Sequence, residues 1–335
     1  MRRYAPVFVL TVLAVFIGEV LFGATPISRL GGLVVVTPLY GGGAVLIREL
    51  VRRRGLGWGR IALLAAAYAI VEEGLALQSM FNPNLFNAGL VGGTVLGINW
   101  VWIEWTVGYH IVWSIGIPIL LTELLFPARR SEPWLGRTGL IVAGVAYAIS
   151  ALALAAIFRL VVAPDFRAPA ILLIGAALIA VGLVALALTW PVTHAAPAPT
   201  GSVRNAPAPW LVGVTTFVAA VAWFILLDLP HPIRAGALVL APMLAEIALV
   251  IGVVALIRHW STQHGWADLH RLALASGALL VSMLVGFFFV TASRPIDQLG
   301  QGVASVVAIV LLALFARRLQ QRDHVATQAR QHVLN

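Results

Sequence analysis

Two residue types are missing outright: none of the 335 residues is cysteine, and none is lysine. Without cysteine there is no disulfide and no thiolate metal site. Without lysine a Schiff-base chromophore of the retinal kind is impossible. All 22 basic residues are arginine, a bias that fits a GC-rich coding sequence. Charge is also scarce: 10% of residues are charged and 61% are hydrophobic, with a mean hydropathy of +0.96. Soluble domains carry about 25% charged residues, so most side chains here cannot face water. The net charge of +9 and pI near 11.2 do not point to nucleic acid. The arginines stand in short runs at the ends of apolar stretches, where cytoplasmic loops of membrane proteins place them.

What is present is apolar length. A transmembrane helix needs about 20 apolar residues. Ten stretches qualify, near 4–23, 31–51, 61–80, 100–126, 139–161, 169–190, 210–229, 235–257, 272–291 and 301–316. The fold class expected is all-α, a polytopic transmembrane bundle of about ten spans with both termini cytoplasmic. With the N-terminus inside and the spans alternating, only Arg29, Arg159, Arg167, Arg234 and Arg294 fall outside, and the other 17 of 22 arginines fall inside. An odd number of spans would spoil that asymmetry. The expected location is a bacterial-type cytoplasmic membrane, multi-pass, with membrane lipids as partners. Met1-Arg2-Arg3 before an apolar run is similar to a signal peptide. The run from Tyr4 to Phe22 is longer than a signal core, which reads as a retained first span.

The segment 191–209, PVTHAAPAPTGSVRNAPAP, has almost no large apolar group and cannot fold alone. It separates a six-span part, 1–190, from a four-span part, 210–316, followed by a polar cytoplasmic tail, 317–335. The first part carries Glu19, Glu72, Glu73, Gln78, Glu104, His110 and Glu123 within its spans. In the second, Glu246 is the one acid well inside a span. Chemistry, if any, is expected in the first part.

Depth selects among these groups, because an ionisable side chain at the bilayer centre costs about 3 kcal/mol on insertion scales. Glu72 lies eleven residues beyond Ile61, or ~16 Å along a helix. His110 lies ten residues beyond Trp100, or ~15 Å from the opposite face. The hydrocarbon core is about 30 Å thick, so both reach the midplane, on antiparallel helices joined by a short connection. Adjacent residues are about 100° apart on an α-helix, so Glu72 and Glu73 cannot both point at one spot without help. One could face His110 while the other contacts a neighbouring helix. A carboxylate beside activated water is the usual general base of metal-assisted hydrolysis, and histidine serves as metal ligand or proton carrier.

Ala69-Ile70-Val71-Glu72-Glu73-Gly74-Leu75 resembles the diglutamate motif, EExxxR, of the CPBP intramembrane proteases, the CAAX- and bacteriocin-processing enzymes with PrsW-type cousins. Tyr109-His110-Ile111-Val112-Trp113-Ser114 is similar to their second, histidine motif. The resemblance covers about 50 of the 335 residues. It implies a helical fold and a membrane-buried metal-dependent hydrolase. In it Glu72 or Glu73 activates water, and His110, with Glu73, holds a divalent metal such as zinc or an oxyanion. The substrate would be a membrane-embedded peptide or lipid. Leu77 stands where that motif has Arg, and a third motif with a further histidine has no counterpart. A zinc site would then draw on carboxylates such as Glu123 or Glu246.

Two other classes are open. Glu19, Glu72, Glu73, His110 and Glu246 could form the polar path of a proton- or ion-coupled carrier. The Glu/His set could equally be an ion pair tying two helices in a non-catalytic scaffold, worth about 1 kcal/mol. Further substrate or cavity candidates are Asn82, Asn84 and Asn87, in a turn or a re-entrant loop over the centre, with Gln78 and Ser114. Tyr40-Gly41-Gly42-Gly43 reads as close helix packing. Arg48 and Arg52-Arg53-Arg54 read as an anchoring cluster on anionic lipid. Asp228 and His231 read as a surface cap.

Overall fold

The computed structural model describes residues 2–191, 205–227, 236–290 and 294–334. Most of the Pro/Ala-rich linker, with His194 and Arg204, and the turn holding Asp228, His231 and Arg234 lie outside the described residues. The chain is a polytopic helical bundle. The main helices are α1 (Ala5–Val15), α2 (Leu33–Arg53), α3 (Trp58–Ala69), α4 (Trp100–Tyr109), α5 (Ile117–Leu125), α6 (Arg137–Ile157), α7 (Ala170–Thr189), α8 (Pro209–Leu227), α9 (Leu240–Ser261), α10 (Asp268–Val290) and α11 (Pro295–Leu334). A two-stranded hairpin, β1 (Thr94–Val95) and β2 (Ile98–Asn99), lies between α3 and α4.

All ten apolar stretches fall on helices. Eight helices among the described residues are long and apolar enough to cross a bilayer, and Ala5–Leu21 is a shorter apolar one. The remaining stretch is α3, prolonged by Ile70–Ala76, which carries Arg60 and the two site acids. Trp100–Leu125 is one continuous span built from α4, a wider turn and α5.

Four helices widen into π-helical turns, at Phe16–Leu21, Ile70–Ala76, His110–Gly116 and Phe158–Val162. The third has a visible cause. Pro118 lacks an N–H and its ring crowds the carbonyl four residues back, so the helix ahead of it loosens. Gly18, Gly74 and Gly116 sit in the first three turns, where a missing side chain lets backbone and neighbours draw close. A Cβ on Gly116 would stand 2.6 Å from the Ile111 carbonyl oxygen.

By contact the chain divides into two compact units. One is Met1–Glu19, Arg29–Ala196 and Ala222–Val250; the other is Val20–Ser28, Pro197–Val221 and Ile251–Asn335. These units follow packing, whereas the division drawn at the linker follows composition.

In the first unit α2 packs on α1, α3 and α6, and α3 packs on α7. The Gly41–Gly43 run makes this possible. A Cβ on Gly41 would collide with Thr11 of α1, and one on Gly43 would lie 2.7 Å from the Tyr68 ring of α3. Arg48 of α2 is fully buried rather than spread on lipid. It stacks on the Trp134 ring at 3.5 Å and donates to Glu49, Glu123 and the carbonyls of Arg129, Arg130 and Glu132. Arg52 grips both oxygens of Glu123, at 2.7 and 2.8 Å. Arg53 is drawn to Glu49 and the Leu135 carbonyl, so of the cluster Arg54 is the arginine left exposed at the surface.

The connections of this unit are also tied to one another. Arg129 donates to the Arg3 carbonyl, and Arg60 to those of Leu186 and Trp190. On the opposite face the Ala168 N–H donates to Gln78. In the second unit α10 packs on α11. There Asp297 accepts from the Ser28 N–H and hydroxyl at 2.8 and 2.9 Å, and Gln301 caps the Leu21 carbonyl.

Candidate functional site

The three π turns of the first spans carry the ionisable groups, and they meet. Glu72 and Glu73 leave the widened end of α3, and His110 opens the widened turn after α4. His110 Nε2 lies 3.4 Å from Glu73 Oε1, and Nδ1 lies 3.8 Å from Glu72 Oε2. One ligand atom from each of the three residues lies within 4.8 Å of the others. All three side chains are buried.

The expectation that only one acid could face His110 is therefore corrected. Two features overturn it. A π turn spreads successive residues less widely around the axis than an α turn does, and π turns recur at functional sites. The imidazole also has two nitrogens on different edges, so each acid meets its own.

The acids are not equivalent. Glu73 is held at both oxygens, by His110 and by the Ser79 hydroxyl. Glu72 Oε2 is buried and completes no hydrogen bond. Ser114 lies 2.9 Å from His110 Nδ1, one helical turn along the same span.

Tyrosines enclose the imidazole. The rings of Tyr40, Tyr68 and Tyr109 lie 5.9, 5.5 and 5.6 Å from it. Tyr147 packs on Tyr68, so four of the chain's five tyrosines gather here. Tyr109 donates to the Gly18 carbonyl at 2.8 Å, fixing the first π turn against the site. A Cβ on Gly18 would lie 2.6 Å from the Tyr40 ring. Glu19, in the same turn, is buried.

The other candidates are placed elsewhere. Gln78 Oε1 accepts from the Ala168 N–H at 2.9 Å, joining two outer connections. Asn82 is buried and accepts from the Asn84 N–H, an Asx turn, while Asn84 and Asn87 are exposed. Glu123 cannot serve as a fourth ligand. Its oxygens are committed to Arg48 and Arg52. Glu246 is buried on α9, outside the metal-capable group found among the described residues.

Sequence reasoning missed Ser79, Trp102, Tyr40, Tyr68 and Tyr109. The tyrosines had a signal in their small number and their places beside Gly41, Glu72 and His110. Ser79 and Trp102 act across a loop whose path the sequence does not reveal.

The donor set fits a divalent ion. Two carboxylates and one imidazole leave an open position, as catalytic zinc sites do. Glu72 Oε2, which makes no hydrogen bond, stands beside Glu73 and His110 as a further acceptor, and those two have hydrogen-bond partners that would orient them. A divalent cation would also offset the cost of burying carboxylates.

Among known proteins, the model of an uncharacterized membrane protein family matches residues 8–322. No curated protein and no solved structure matches the chain.

Proposed function

The chain belongs to that membrane-protein family, and from its buried Glu/His centre we propose that it is a membrane-embedded hydrolase of the CPBP kind. Its centre is Glu72, Glu73 and His110, and its substrate is a peptide or lipid within the bilayer of a bacterial-type cytoplasmic membrane. The observation that carries this reading is the buried Glu72 oxygen that completes no hydrogen bond, 3.8 Å from His110. Burial of an unsatisfied acceptor costs about 1–3 kcal/mol, which a purely structural ion pair gives no reason to bear.

Glu73 and His110 would hold a divalent ion such as zinc, which when bound supplies Lewis-acid chemistry. Glu72 is the general base: its free oxygen takes a proton from the attacking water and later returns it to the leaving amine or alkoxide. Glu73, fixed by His110 and Ser79, cannot swing to that task. The enclosing tyrosines and apolar helices exclude bulk water, which strengthens each electrostatic contact.

The test is metal content and turnover of the purified full chain, with quenched-fluorescent transmembrane peptides as substrate. The wild type should carry about one divalent ion and cleave. Glu72→Gln should keep the ion and lose at least 100-fold in rate, the scale of one general base. Glu73→Gln and His110→Ala should lose the ion. A wild type that binds no divalent ion, with cleavage absent or untouched by Glu72→Gln, would overturn the reading.

A further inference from the structure

Behind Glu73 the Ser79 contact continues into a buried chain of hydrogen bonds. Trp102 Nε1 donates to Ser79 Oγ at 3.0 Å. The Ser79 hydroxyl faces the Glu73 carboxylate Oε2 and, at 3.2 Å, the Glu73 carbonyl oxygen. Ser79 is 0% exposed and Trp102 5%, so water does not substitute for either contact.

The direction of the chain is set by chemistry. An indole nitrogen can only donate. It occupies a lone pair of Ser79, which leaves the single hydroxyl proton turned toward Glu73. The carboxylate thus receives a donor on Oε2 while Oε1 faces His110. Trp102 is itself held on several sides. Its backbone N–H donates to the Asn99 side-chain oxygen at 2.9 Å, and Asn99 is pinned by bonds to the carbonyls of Ala88 and Met80. Phe86 stacks over the indole with centroids 6.1 Å apart. No charged residue stands between Glu73 and Glu104 to compete for these contacts.

We infer that Ser79 and Trp102 are positioning residues for the buried centre. Trp102 orients the Ser79 hydroxyl, and Ser79 orients Glu73 toward His110 and toward a cation shared with it. The cation rests on the function proposed above; the hydrogen-bond chain does not. The indole donor of Trp102 therefore matters more than its bulk.

The experiment uses the full chain in detergent, with Co²⁺ as the probe metal and ¹⁵N-histidine NMR of the metal-free protein as a second readout. The His110 signal is assigned by its absence in His110→Gln. Ser79→Ala and Trp102→Phe should each weaken Co²⁺ binding 10- to 100-fold, the range for lost partners of a metal ligand. Ser79→Thr, which keeps the hydroxyl, should bind as the wild type does. In the metal-free spectra the His110 ring-nitrogen shifts should move in Ser79→Ala and Trp102→Phe and return in Ser79→Thr. Moved shifts in a protein whose wild type takes up no Co²⁺ would support the positioning chain and overturn the metal reading alone. Unmoved shifts with unchanged affinity would overturn the inference. If Ser79→Ala does not fold, Trp102→Phe against Trp102→Leu decides it, since only the indole donor, not ring packing, is predicted to matter.

Discussion

Glu72 sets function against stability within one side chain. Its Oε2 is buried with no hydrogen-bond partner, and removing a buried, unsatisfied acceptor relieves a desolvation cost of about 1–3 kcal/mol. Glu72→Leu should therefore melt at the same temperature as the wild type or higher. Glu73→Leu should melt lower by about 3 kcal/mol, because it strands His110 and the Ser79 hydroxyl in a dry site. Thermal unfolding in detergent checks the pair. Equal destabilisation by both would show that Glu72 is as fully bonded as Glu73. The shared depth of Glu72, Glu73 and His110 was legible, since helical rise converts residue number into position across the bilayer; that both acids face the imidazole was not, because it depends on the widened turn. The inequality of the two acids was not. It depends on Ser79, which approaches Glu73 through a loop that no periodicity describes. Glu123 misled for a related reason. Its depth is compatible with a site, but two arginines from another helix already satisfy it.

Among elements, the helices were legible and their widened turns were not. Among the described residues the apolar runs are helical, because hydrocarbon demands an internal partner for every backbone group. The π turns depend on local events, a proline at 118 and glycines at 18, 74 and 116, that the hydropathy pattern does not register. Glycine placement leads to a paired prediction. Gly43 lies in α2 against Tyr68, where an added Cβ would stand 2.7 Å from the ring that borders His110. Gly144 lies in α6 with open space around its Cβ position. Gly43→Ala should cost about 1–3 kcal/mol by overpacking and lower activity through Tyr68. Gly144→Ala should gain up to about 1 kcal/mol from helix propensity and leave activity alone. Melting temperatures of the two variants, measured side by side, test whether Gly41–Gly43 exists to admit the tyrosine wall. The arginine run of α2 teaches the same lesson. Composition placed Arg48 at the membrane surface, and only packing shows it buried on Trp134.

For the molecule as a whole, orientation rests on charge asymmetry, and the first unit supplies a physical companion to it. Arg3, Arg60 and Arg129 bond across connections on one face, together with the arginine-rich end of α2. The opposite face is joined by Gln78 and Ala168 and bears the charge-free hairpin of β1 and β2. Cytoplasmic loops collect arginine, so the first face should be cytoplasmic. The absence of cysteine makes this testable without altering the background, because any introduced thiol is unique. Leu96 sits at the hairpin tip and is 87% exposed; Arg54 and Gly136 are exposed at the other face. In intact cells or sealed right-side-out vesicles, a membrane-impermeant maleimide should label Leu96→Cys and spare Arg54→Cys and Gly136→Cys. In inverted vesicles the pattern should reverse. Leu96→Cys and Arg54→Cys labelling from the same side would mean that α3 with its π turn does not cross the bilayer. Glu72 would then lose its place at midplane depth, and the cost argument that singles it out would no longer apply.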